Sequence, residues 1–89
     1  MSLPDDIENK IVQLVEEEPT VSEVHHLRTR RIGNRIAIEM HLRMPPDTPL
    51  YIAHDHASNI EQRLRQAFGP DTIINIHMEP TKNTTHQPH

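Results

Sequence analysis

The sequence predicts an α+β fold: an open-faced sandwich of order α-β-β-α-β in which two helices cover one face of a three-stranded sheet. Three observations predict it. Two segments repeat apolar residues at the 3–4 spacing of a helix face, and three others carry β-rich or alternating strand patterns. Only 34% of the 89 residues are hydrophobic. So little apolar material supports a single domain with one two-layer core, because neither helix can bury its stripe alone.

The elements follow in order. Ile7, Ile11, Leu14 and Val15 fall on one face of a first helix. Pro4 suits its first turn, Asp5, Asp6 and Glu8 suit the positive end of its dipole, and Pro19 stops it. Glu16, Glu17 and Glu18 sit at the negative end, so that end either frays or faces a cation. Residues 21–31 are β-rich and lead to a Gly33-Asn34 turn. Residues 35–44 then alternate. Ile36, Ile38, Met40, Leu42 and Met44 point one way, and Arg35, Ala37, Glu39, His41 and Arg43 the other. Two strands around Gly-Asn read as a hairpin. After a Pro45-Pro46 loop, Thr48 is a candidate N-cap with Pro49 at the first helical position. Leu50, Ala53, Ala57, Ile60, Leu64 and Ala67 form the stripe of a long second helix, which Phe68-Gly69-Pro70 ends with glycine at a left-handed C′ position. Residues 72–79 make the last strand, where adjacent Ile73 and Ile74 predict burial on both faces. The domain is expected to span residues 1–80, with 81–89 a disordered polar tail.

Composition narrows the function. The absence of cysteine excludes disulfides, a thiolate zinc site and a cysteine nucleophile. No apolar run reaches the length of a membrane-spanning helix and no signal pattern opens the chain, so a soluble, cytoplasmic protein is expected. The net charge of −4 argues against nucleic acid. Arg28, Arg30, Arg31 and Arg35 do cluster at the hairpin, but an RNA-binding sheet stacks bases on aromatics and these strands carry none. The plainer reading is a solvated hairpin able to pair with the acidic first segment. His77-x-Glu79 has the form of the zinc-deaminase H-x-E, but the required cysteine pair is missing. No nucleophile stands in a triad-like frame, so no enzyme is expected.

Eight histidines are the unusual feature. A lone surface histidine is usually only a polar residue, so the test is whether several converge. His77 and Glu79 share a strand face about 7 Å apart, and His41 lies on the polar face of the second strand. A two-residue loop at Gly33-Asn34 sets His26 opposite His41, whereas a three-residue loop sets His25 there. Val24 and Leu27, three apart, can both be buried only with a bulge. Periodicity leaves His25 and His26 as alternatives. On the long helix, His54 borders the apolar stripe and His56 points away.

The segment Val24-His25-His26-Leu27-Arg28-Thr29-Arg30 resembles the "hDLRTR" segment of cation diffusion facilitator transporters. More of their C-terminal cytoplasmic domain follows in register. Gly33-Asn34 is similar to its hairpin turn, Ile38-Glu39-Met40-His41-Leu42 to its second strand, and Ala53-His54 with Ile60-Glu61 to its long helix. Phe68-Gly69-Pro70 is similar to its helix end and Ile76-His77-Met78-Glu79-Pro80 to its closing "IHxEP" motif.

The resemblance implies a metallochaperone-like (ferredoxin-like) fold that forms a V-shaped homodimer. It implies divalent metal, zinc first, near the dimer interface on His25, His41, His54, His77 and Glu79. His26, standing where the family often has Asp, is a further candidate, as is His56, which matches no family ligand. Glu79 replaces the Asp of some relatives and reaches one methylene further. An all-nitrogen-and-oxygen set also accepts cobalt, nickel, copper or cadmium, and its binding weakens below roughly pH 6 as ligands protonate. Metal would narrow the V and so regulate cation efflux. The family's transport helices precede this domain and have no counterpart here. The chain is expected to be either excised from a transporter, with the transmembrane domain as partner, or free-standing. A free-standing copy would buffer, sense or deliver metal, or act on a full-length transporter. A metal-independent dimerisation module is the remaining alternative.

Overall fold

The computed structural model describes residues 4–82. Five elements follow the expected order: α1 (Asp5–Glu16), β1 (Ser22–Ile32), β2 (Arg35–Met44), α2 (Leu50–Phe68) and β3 (Ile73–Pro80). The strands form one mixed sheet in the order β1-β2-β3. The central strand β2 runs antiparallel to β1 and parallel to β3. A parallel neighbour requires a crossover, and α2 provides it. Among the described residues, no helix is long and apolar enough to cross a membrane.

Alternation along β2 divides the sheet into two faces. Ile38, Met40 and Leu42 meet Ile11 and Val15 of α1 and Ile60 and Leu64 of α2, each no more than 2% exposed. Removing each such side chain from water is worth about 1.5–3 kcal/mol. Ile74, Ile76 and Met78 of β3 border this core. Among the described residues no helix covers the other face, which is why Ile73, paired with Ala37, is half-buried rather than enclosed on both sides as expected. The stripe of α2 also begins later than its spacing predicts, because Leu50 remains 85% exposed.

The helix ends depart from expectation in detail. Thr48 does not cap α2. Its hydroxyl and its amide both donate to the Pro45 carbonyl, at 2.6 and 3.0 Å, closing the loop before the helix, and Pro49 takes the N-cap position. Gly69 adopts φ 113°, ψ 152°, a conformation outside the left-handed helical region and close to one that glycine almost alone occupies. The acidic end of α1 faces a cation: Glu18 folds under α2 and accepts from Arg63 at 2.6 Å. Of the segment expected as a tail, the Thr81 amide donates to the Met44 carbonyl at 2.8 Å. From residue 83 onward that segment lies outside the described residues.

The hairpin resolves the choice between His25 and His26. The ladder runs unbroken from Ile32↔Arg35 to Arg28↔Glu39, so the turn is the two-residue Gly33-Asn34. The register then shifts between Arg28 and His25. His26 takes φ 52° within that shift, and His25 becomes the residue opposite His41. The bulge therefore overrides the pairing that the turn alone would give. It also lets Val24 and Leu27, three apart, both pack against the core.

Candidate metal centre

The open face of the sheet carries a row of imidazoles. His25, His41 and His77 are direct partners across β1, β2 and β3. The His41 and His77 rings stack at 4.7 Å between centroids, and His25 meets His41 edge-on at 5.4 Å. Such close packing follows from the strand spacing: residues in register on neighbouring strands lie about 5 Å apart.

Carboxylates flank the row. Glu79, one residue pair along β3, places its two oxygens against two rings. His25 Nε2 lies 3.1 Å from Oε1, and His41 Nδ1 lies 2.5 Å from Oε2. An ionised carboxylate only accepts, so both ring nitrogens donate to it in this state. The bond from His41, followed by the charges and hydrogen bond of the His pair, outweighs burial and holds Glu79 below the ordinary carboxylate range. On the opposite flank, Glu39 Oε2 lies 3.5 Å from His77 Nε2. Two overlapping triads result: His25, His41 and Glu79, and Glu39, His41 and His77. Within each triad the ligand atoms lie within 4.8 Å of one another.

The remaining candidates fall elsewhere. His26 is exposed beside the row, its ring 4.8 Å from that of His25 and 5.0 Å from that of His41, but it belongs to neither triad. His54 is exposed on α2 and also belongs to neither. His56 does not point away, as its spacing from His54 suggested. Its Nδ1 donates to Glu18 at 2.5 Å, its Nε2 sits 3.0 Å from the Thr20 hydroxyl, and its side chain is 15% exposed.

Two residues of this face are absent from the ligand set read in the sequence. Glu39 completes the second triad, and Arg43 places its Nε 3.4 Å from His25 Nε2. The signal for both was the β2 alternation, which puts Glu39, His41 and Arg43 on one face.

Residues 3–81 match the sequence profile of the cytoplasmic domain of cation efflux proteins. The chain belongs to that family. The family is one of transport-protein domains rather than enzymes. The cation-efflux pump FieF of Escherichia fergusonii is 39% identical over 79 residues, which are 89% of this chain and 26% of the pump. The chain thus spans about a quarter of the curated cation efflux pumps it matches. Among solved structures, CzrB in its Zn form superposes with a TM-score of 0.80 at 37% identity, over 92% of this chain and 97% of that one. The metal-bound C-terminal domain of the CzcD transporter from Thermotoga maritima gives 0.79 at 28% identity, over 89% and 92%. The α-β-β-α-β architecture is therefore that of this cation efflux domain, as the sequence motifs implied.

Proposed function

We propose that the histidine row binds a divalent cation, zinc first, and that the domain regulates cation efflux by closing a homodimer around the metal. The observation that carries this reading is the convergence of His25 Nε2 and His41 Nδ1 on the two oxygens of Glu79. Imidazole nitrogen and carboxylate oxygen are zinc's ordinary ligands where cysteine is lacking, with bonds of about 2.0–2.2 Å. His77 extends the set, and Glu39 offers an alternative oxygen on its far side. The Zn form of CzrB and the metal-bound CzcD domain support the reading by likeness.

Three ligands from one chain leave a fourth position of a tetrahedral ion open. His54, exposed on α2 and a member of neither triad, is suited to fill it from a second copy. A metal shared in this way couples its binding to the angle between the two copies, typically by about 1–3 kcal/mol. In a full-length pump that angle would act on the membrane part from the cytosolic side.

Calorimetric zinc titration of the parent chain and of His41→Ala tests the site. A loss of about 100-fold or more is expected, since even outer-shell partners of a metal cost 10–100-fold. Indistinguishable titrations would refute the assignment. Small-angle scattering tests the closure: the dimer should narrow on adding zinc, and an unchanged profile would favour a metal-independent dimer.

A further inference from the structure

Arg43 stands on the open face immediately beside the first triad, with its side chain only 15% exposed. Its Nε lies 3.4 Å from His25 Nε2 and 3.8 Å from Glu79 Oε1. Because His25 Nε2 already donates its proton to Glu79, the guanidinium acts there mainly as a charge. The same Nε lies 3.5 Å from Glu23 Oε2. Glu23 occupies the second register shift of β1 with φ 49°, and its side chain is 64% exposed. One guanidinium nitrogen is thus within reach of both a carboxylate inside the row and one at its rim.

A guanidinium keeps its charge at any ordinary pH. A divalent ion drawn to His25 and Glu79 therefore meets a fixed positive charge a few ångströms away, in a half-buried place where water screens it only in part. Glu23 provides a position for Arg43 outside that contact. We propose that Arg43 is the resident cation of this site and is exchanged for the metal. On binding, the ion takes His25 and Glu79, and Arg43 turns wholly to Glu23. In the metal-free molecule Arg43 neutralises Glu79 and keeps the row assembled. When metal arrives, it sets the threshold concentration. The proposal rests on the ligand reading above and adds a prediction of opposite sign to any ligand mutation.

The test is zinc calorimetry on the full 89-residue chain and on Arg43→Gln, Arg43→Lys and His25→Ala. Arg43→Gln should bind zinc at least about tenfold tighter, because a like charge has gone from beside the ion. Arg43→Lys keeps the charge and should stay within about threefold of the parent. His25→Ala should weaken binding strongly. A merely structural Arg43 would weaken binding when replaced, so the direction of the change separates the two roles. Unchanged or weaker binding in Arg43→Gln, with His25→Ala still impaired, overturns the exchange and leaves the ligands standing. His25→Ala titrating like the parent overturns both. Should Arg43→Gln fail to fold, Glu23→Gln serves. It removes the receiving carboxylate and should weaken zinc binding several-fold, and an unchanged affinity overturns the proposal.

Discussion

The molecule twice sets a carboxylate among imidazole and guanidinium groups. Beneath α2, Glu18 accepts from His56 Nδ1 at 2.5 Å, from Arg63 Nη2 at 2.6 Å and from the Asn59 amide at 3.1 Å. On the open face, Glu79 accepts from His41 Nδ1 at 2.5 Å and from His25 Nε2 at 3.1 Å, with Arg43 alongside. What differs is access. The Glu18 side chain is 2% exposed, whereas that of Glu79 is 33% exposed and those of its two histidines about a quarter. The first set has three donors wrapped around one buried carboxylate, so it ties the end of α1 to α2. The second has a side open to solvent, so its imidazoles can trade a proton on nitrogen for a metal. Residue type alone does not separate a structural tie from a binding site; burial does.

The largest effect should come from breaking the closed set. Arg63→Met leaves Glu18 buried with its main counter-charge gone, and breaking one side of a buried pair costs about 3–5 kcal/mol. Melting monitored by circular dichroism should show that loss, with His56 and Asn59 holding it toward the lower figure. Zinc affinity, measured under conditions where the variant stays folded, should not change. The mirror experiment is Glu79→Ala. It should cost about 100-fold or more in zinc affinity while shifting the melting point little, because part-exposed ion pairs contribute little to stability. A Glu79→Ala protein that unfolds would show that the open set is structural as well.

Acid should weaken the closed set. Burial raises the Glu18 pKa, but the bonds from His56, Asn59 and Arg63 together with the Arg63 charge outweigh it, and the net shift is downward. A carboxyl with a depressed folded pKa lends stability above its unfolded value, about 4.3 for Glu, and that stability is lost as pH falls through the lower folded value. The parent should therefore lose stability steadily below about pH 4.5. Glu18→Gln, less stable at neutral pH, should show a flatter acid limb in a series of melts. Equal slopes in the two proteins would contradict the assignment.

Much of this contrast was legible in the sequence, and what was missed has physical causes. The alternation of β2 placed His41, Glu39 and Arg43 on one face, because a strand of period two allows little else. The spacing of His77 and Glu79 put both on one face of β3, but the register that sets His77 beside His41 is a contact between distant strands and left no sequence pattern. The partner of Glu18 was expected only as a cation of unstated origin, since a contact between the segment after α1 and α2, spanning 45 residues, leaves no local pattern. His56 was misplaced for the same reason: helical spacing tells which side a residue faces, not what the chain folds against that side. The bulge in β1 was anticipated from Val24 and Leu27, but its effect on the row was not, because one inserted residue shifts every pairing beyond it.

That bulge supports the smallest and most specific prediction. Between the pairs His25↔His41 and Arg28↔Glu39 the shift sets His26 and Leu27 against the single residue Met40, and His26 carries the positive φ that makes room for the extra residue. Deleting His26 should let β1 pair regularly from the turn as far as His25. In the unbroken ladder that runs from Ile32↔Arg35, the position that faces His41 is the one His26 would have held, and the deletion moves His25 into it. His25 would then still face His41 from the open side, without a residue held at φ 52°, a conformation that typically costs about 1 kcal/mol or more outside glycine. Zinc affinity should change by less than about threefold if His26 is no ligand, since each lost ligand costs far more. A loss of tenfold or more on deletion would place His26 among the ligands. The bulge would then be a device for presenting two imidazoles from one strand rather than for correcting the register of one.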